Sequence, residues 1–568
     1  MKNLFFFLAL GLLVFGPPAA KAQDDAAEAQ PVVVVSFSGY AELKRDIEYI
    51  GGLSGNPDMA AGLEQLLILL TQGQGLAGVD QARPWGAAVS ITADGSQFPA
   101  LAFLPVTDLS KLLDALAGVI GEAVDAGDDI YEIKRNTNSY FITQKGKWAY
   151  VAQQKSSLDD LPGDPLKQLR GLDKEYDLAL SLNVQNIPQA LRDMGADTIM
   201  QAFEARLMQG MDDDDDDDDA EEQNELRTEL ARDKAEQFVK SINELDQLTV
   251  GLNIDRAKSR TFIDLELTAL PGSELAKQFA ASSEEAQGTR FSGVLLPEAL
   301  LSLHLNSPIS ADDEEEAEAL FERLSTQLAA EIDKEEDLDD AQKQAAKELA
   351  AKLIAIVEDT VEEQGRLNAG LTVLGEGPLT MVLGCLVADA TELEVVVKQL
   401  VELVAEDADL SKLKLNVAKH QGFRFHTLTV PVPDDEDNDN AESLRAAFGD
   451  PIKVALAFGK DIFYVGVGED GIDGIKQVID ASAETPAEKL PEMTLALALK
   501  PILKLAASKG DDARAAQLAE SVGDKDRLRI TVEPVDNGVR YRIEAEEGVN
   551  KLLGQRLGDA ARMGGNSR

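Results

Sequence analysis

The residues that first invite chemistry are acids. Residues 211–223 read MDDDDDDDDAEEQ, with aspartate at every position from Asp212 to Asp219. A second acidic stretch, PDDEDNDNAESLR, begins at Pro433. Carboxylates at this density suggest a hard cation such as calcium, which takes six to eight oxygens from a loop that turns them inward. Asp435, Asp437 and Asp439 share the spacing of the first three ligands of an EF-hand loop. The rest of that pattern fails, because Asn440 stands where the loop needs glycine and Ala446 stands where a bidentate glutamate belongs. The unbroken run has no glycine to converge its ligands. The expectation is therefore loose calcium binding at Asp212, Asp213, Asp214, Asp215, Asp216, Asp217, Asp218 and Asp219, and at Asp435, Asp437 and Asp439, with no tightly held cofactor.

Other chemistries are thinly represented. His420 and His426 flank the turn HQGFRFH. Two imidazoles across a hairpin bind zinc only when a third ligand converges. The spacing supplies none, so both read as structural, as does His304 in the alternating run LLSLHLN. The single cysteine, Cys385 in LTMVLGCLVAD, has no partner for an internal disulfide and reads as a small buried hydrophobe. No nucleophile elbow, phosphate loop, HExxH or CxxC motif occurs. VGVGEDGIDG from Val465 lacks the GxGxxG spacing, and its glycines suit a strand-to-helix turn. A catalytic carboxylate pair has no local signature among 102 acidic residues, so no catalytic residue is assigned.

Positioning these groups falls to elements that recur. FITQKGKWAYVAQQ from Phe141 and VALAFGKDIFYVGVG from Val454 both read as hairpins with Gly-Lys at the turn and a Tyr-Val pair after it. YDLALSLN and MTLALALK follow as apolar strands, each leading into a proline-containing helix start. LTVGLNIDRAKSRTFIDLELTAL and LRITVEPVDNGVRYRIEAEEG close the series, the second around Asn537-Gly538, a strong two-residue turn. Earlier, WGAAVSI with PALAFLPV and LNAGLTVL with LTMVLGCLVAD form strand pairs, each followed by an amphipathic helix. The same elements in the same order predict an α+β protein of two tandem related modules, residues 31–285 and 290–560. Strands arranged in hairpins predict largely antiparallel sheets with helices packed on one face. Ser310 to Glu363 predicts a long helical hairpin in the second module. The aspartate run falls between YDLALSLN and LTVGLNI, as the joint between helices expected near 188–210 and 220–243. Blocks of like charge repel and stay solvated.

The opening, MKNLFFFLALGLLVFGPPAAKAQ, has a basic start, an apolar run and small residues before a cut after Ala22. That is the layout of a signal peptide, residues 1–22. The apolar run is short of the roughly 20 residues a spanning helix needs, so no span is expected in the mature chain. Residues 23–30 and 561–568 are expected to be disordered ends. The formal net charge of −48, with no basic patch in the sequence, argues against nucleic acid as a partner. Hydrophobic residues at 44% place the chain among globular proteins rather than acidic disordered tails.

In element order and composition the chain resembles the large exported α+β proteins of unknown function found in bacteria with an outer membrane. The resemblance implies a non-enzymatic, periplasmic or extracellular envelope component and carries no residue roles. The leading expectation is an exported structural or binding protein, partnered by another envelope protein or a small ligand. The alternatives are a periplasmic ligand carrier, with a site between modules or between sheet and helices, and an exported hydrolase using carboxylates.

Overall fold

The computed structural model describes residues 30–135, 138–209, 237, 239–284, 289–309, 311–334, 339–375, 377–404, 413–432, 439–484, 490–510 and 513–555. It is a mixed helix and antiparallel-sheet fold, consistent with the α+β class. Twenty strands are described, ten between residues 31 and 269 and ten between residues 301 and 546, in antiparallel pairings. The leader, the run Asp212 to Asp219, Asp435, Asp437 and the tail 561–568 lie outside the described residues. The chain divides into two compact units, the first comprising Met1–Lys277, Val535–Arg540 and Asn550–Arg568, the second Gln278–Pro534 and Tyr541–Val549.

The first unit opens with β1 (Pro31–Phe37). Its valines run without polar alternation, and Val32, Val34 and Val35 are all buried. Such a strand is covered on both faces. Helices α1 (Tyr40–Leu53) and α2 (Met59–Leu70) follow. Next come β2 (Trp85–Ser90), β3 (Ala100–Pro105) and α3 (Leu109–Ile120), whose start is capped by Asp108 accepting from the Lys111 N–H at 3.2 Å. The remaining strands are β4 (Ala123–Asp125), β5 (Ile130–Arg135), β6 (Asn138–Lys145), β7 (Trp148–Ala152), β8 (Leu178–Asn183), β9 (Leu245–Asp255) and β10 (Arg260–Ala269). Across this unit the order is β10-β9-β8-β1-β2-β3-β7-β6-β5-β4. Helix α3 packs Leu112 and Leu113 onto one face. On the other face lie Leu158, Leu161 and Leu169 of an irregular segment, against Phe103, Trp148 and Tyr150. Gly86 is the hinge of that contact, because a Cβ there would lie 2.5 Å from the Val35 carbonyl oxygen and 2.7 Å from Leu169.

The second unit contains β11 (Leu301–Pro308), β12 (Arg366–Leu374), β13 (Thr380–Leu386), β14 (Lys414–His420), β15 (Phe423–Val430), β16 (Ile452–Phe458), β17 (Ile462–Val467), β18 (Met493–Ala498), β19 (Arg527–Val535) and β20 (Gly538–Glu546). Their order is β20-β19-β18-β11-β12-β13-β17-β16-β15-β14. Adding ten to each number in the first unit's order reproduces it. Two long helices, Ala311–Lys334 and Asp340–Gln364, occupy the stretch predicted as a hairpin. One expectation is corrected: helices lie on both faces of this sheet. Ala455 and Ala457 face the helix Gly471–Glu484, whereas Leu456 and Phe458 face Asp340–Gln364 and Ala390–Val404. The reason is that β16 is apolar at successive positions, so each side of the pleat must be buried. Among the described residues no helix is long and apolar enough to cross a membrane.

Candidate functional site

Helices α1, α2 and α3 of the first unit leave an apolar cavity of about 160 Å³ above β2, β3, β5, β6 and β7. Leu43 of α1, Leu63 and Leu67 of α2 and Leu112 and Leu116 of α3 line it from the helical side. The floor includes Ala102 and Ala149, whose small side chains leave the space open. A space of this size matches the engineered apolar cavity of about 150 Å³ that takes up benzene.

Helix α2, MAAGLEQLLILL, is apolar around more of its circumference than one buried stripe requires. Leu63 and Leu67 share a face and line the cavity. Ile68, Leu69 and Leu70 are exposed, Leu69 by 75%. Its ends are left-handed turns, at Gly55 on one side and at Gln72 and Gly73 on the other. The Thr71 hydroxyl donates to the Leu67 carbonyl at 2.7 Å and accepts from the Gly75 N–H at 2.6 Å. On the surface, Lys44 of α1 pairs with Glu64 of α2 at 2.7 Å.

Polar groups enter the cavity at few points. Asp80, Arg83 and Arg135 line it with Trp85, whose ring stacks on Phe37 at 4.6 Å. The Arg83 guanidinium lies 4.2 Å from the centre of the Trp148 ring. Its Nη1 is buried and has no hydrogen-bond partner. The Asp80 carboxylate accepts from the Ala82 N–H at 3.3 Å.

On the opposite side of α1, Glu42, Asp46 and Asp177 bring carboxylate oxygens within 4.8 Å of one another. Arg256 pairs with both Glu42 and Asp46. Asp177 accepts from the Ile254 N–H at 2.7 Å and from the Ser38 hydroxyl at 3.3 Å. Asp46 is 1% exposed, and its Oδ2 has no partner. Burial, then the Asp177 charge, pushes its carboxyl up to about 7, against the pull of Arg256. Burial also raises Asp177. A polar cavity of about 350 Å³ beside this group is lined by Glu42, Asp177 and Tyr176, among others, but not by Asp46. The three carboxylates could supply oxygens to a cation, although Arg256 already pairs with Glu42 and Asp46 and offsets one of their charges.

The sequence-predicted residues lie elsewhere. Asp439 begins a helix, Asp439–Phe448, and its companions Asp435 and Asp437 are not described. His420 and His426 do not meet: His420 contacts Asp480 at 2.6 Å, and His426 contacts Glu394 at 2.9 Å. The His426 Nδ1 accepts from the Asn416 N–H at 2.9 Å, so its Nε2 carries the proton and donates to Glu394. Arg424 and Lys398 also donate to Glu394. Burial would raise that carboxyl, but these donors hold it down at about 2. His304 is fully buried in β11, and burial lowers it to about 4. Cys385 is partly buried beside the Phe458 cluster, with its thiol pushed up by burial.

What the fold and the cavity define is an antiparallel α+β protein with an apolar space under helices. No protein-family model matches the chain, and no curated protein does. Among solved structures it is similar to a chain of TP0453 in crystal form IV, with 11% identity and a TM-score of 0.20 over 45% of this chain and 81% of that one. A likeness of that size carries no functional argument.

Proposed function

We propose that this is an exported, non-catalytic binding protein of two related modules, the first of which carries a small apolar ligand between sheet and helices. The apolar cavity is the observation that carries the reading. Ligand sites are concave, mostly apolar and furnished with few polar groups, and this space meets each condition. The leader motivates export. The repeated strand order, together with recurring sequence elements, supports duplication. The modules then differ where it matters. Aligning Tyr150 with Tyr464 puts Phe463 of the second unit at the position of Ala149. Phe463 packs against Phe458, ring centres 4.8 Å apart, whereas the small side chain of Ala149 lines the cavity.

Calorimetric titration of the full mature chain with octanol tests the reading. Saturable binding is expected, together with at least a tenfold loss in Ala149→Phe, since a phenyl ring would occupy the space. Absence of saturable binding, or affinity untouched by Ala149→Phe, would overturn it.

The convergence of Glu42, Asp46 and Asp177 favours a second reading, a carboxylate-dependent hydrolase. A buried carboxyl near 7 suits a general acid. Against it, Asp46 does not line the open polar cavity and is engaged by Arg256. Turnover of glycoside or ester substrates that disappears in Glu42→Gln would establish this reading.

A further inference from the structure

We infer that the exposed face of β8, β9 and β10 is a second binding surface, for the hydrocarbon chain of a single lipid molecule. Strand register builds this surface. Residues directly opposite each other in antiparallel strands share a face. Ala102 of the cavity floor pairs with Ala87, Ala87 with Val35, Val35 with Leu180, Leu180 with Val250 and Val250 with Leu265. A second row runs from Trp85, also at the cavity, through Phe37, Leu178 and Leu252 to Ile263. Every member of both rows is apolar. In the middle of the rows Val35 and Phe37 are buried. At the far end the rows meet solvent, with Leu180 and Val250 each 40% exposed and Ile263 47% exposed. The surface therefore continues the cavity floor but lies outside the cavity.

These three strands are inside out. Their other face carries Ser181, Thr249 and Asp264, all buried. Gln247 donates to the Ser181 hydroxyl at 2.7 Å and to the Thr249 hydroxyl at 3.0 Å, and the Tyr176 hydroxyl donates to Asp264 at 3.0 Å. An antiparallel sheet covered on one side ordinarily buries its apolar face and leaves the polar one in water. Here the polar face is buried and hydrogen-bonded, and the aliphatic face is the one left to an occupant. Contiguous exposed apolar surface of this kind marks an interaction site.

Composition and charge select the occupant. Interfaces between proteins are enriched in aromatic residues and arginine and carry regular hydrogen bonds. The exposed ends of both rows offer only Leu, Val and Ile. A second copy of the chain would bring a second net charge of −48, and an anionic bilayer would meet the same repulsion. A single uncharged chain meets neither obstacle. Strand β9 keeps this face aliphatic from Leu248 to Ile254, about 20 Å of strand, so a long chain can lie extended along it.

The test compares a long alcohol with a short one. Dodecanol and octanol are titrated calorimetrically into the full mature chain, as wild type, Ile263→Asp and Ala149→Phe. Dodecanol is expected to bind saturably and to lose about tenfold or more in affinity in Ile263→Asp, the scale of about two methylene groups returned to water. Octanol, held in the cavity, is expected to bind Ile263→Asp as it binds the wild type. Absence of dodecanol binding, or a dodecanol affinity that Ile263→Asp leaves untouched, would overturn the inference. Failure of octanol alone would remove the cavity reading and leave this surface standing. Flotation with phosphatidylcholine vesicles, or a dimer in sedimentation equilibrium, abolished by Ile263→Asp, would assign the face to a bilayer or to a second copy and overturn the single-lipid assignment. Should Ile263→Asp not fold, Leu265→Gln, at a position 37% exposed, gives the same comparison.

Discussion

Two buried carboxyls in this protein are set in opposite directions by their neighbours. Asp46 has a buried oxygen with no donor, and its pKa rises from 3.8 to about 7. The fold therefore prefers its protonated form, and the associated stability is present below pH 3.8 and lost as pH rises through 7. Asp46→Asn keeps the shape and removes the charge. It is expected to raise the melting midpoint at pH 8 by about 4 °C, the scale of 1–2 kcal/mol in units of this size, and to flatten the profile between pH 4 and 7. A midpoint lowered by Asn at pH 8 would show that the Arg256 pair outweighs desolvation. Glu394 is the reverse case, with donors from Arg424, Lys398 and His426 depressing its pKa from 4.5 to about 2. Its contribution is present above pH 4.5 and lost as pH falls through 2. Removing it strands buried cationic and imidazole donors. Urea unfolding of Glu394→Ala at pH 7 should show a loss of about 3 kcal/mol.

At the scale of elements, the hairpins were the legible part. Alternating apolar residues around Gly146-Lys147, Gly459-Lys460 and Asn537-Gly538 mark strand, turn and strand within a short window, and β6–β7, β16–β17 and β19–β20 form there. The cavity was not legible. It depends on how far α1 and α2 stand above the sheet, a quantity set by packing rather than by local pattern. One signal was available in LEQLLILL, residues 63–70, which is too apolar for a helix with a single buried stripe. The carboxylate group was hidden for another reason. Asp46 and Asp177 lie on distant segments, and Arg256 comes from the β9–β10 turn. Only the sheet brings them together. The same geometry predicts that α2 yields first. Its ends are left-handed turns, and it joins α1 on the surface through Lys44 and Glu64. Hydrogen exchange should find the amides of Leu63 to Leu70 less protected than those of Leu109 to Ile120, and bound octanol should slow them.

For the molecule as a whole, charge sets the response to solution conditions. With a net charge of −48, self-repulsion opposes compaction and screening relieves it. Sodium chloride and calcium chloride at matched ionic strength are expected to raise the melting midpoint equally. A further rise specific to calcium, abolished by deleting residues 212–219, would instead make that run a cation site. The two units have the same strand order, yet Phe463 stands in the second where Ala149 lines the cavity of the first.

Trp85 and Trp148 are the chain's only tryptophans. One lines the cavity and the other lies beside Arg83, so both belong to the first unit. Indole emission is consequently an optical signal of one half of the protein, and circular dichroism is a signal of both. Two denaturation curves from a single unlabelled sample, one by each method, therefore distinguish a protein that unfolds as one cooperative body from one whose halves come apart in sequence.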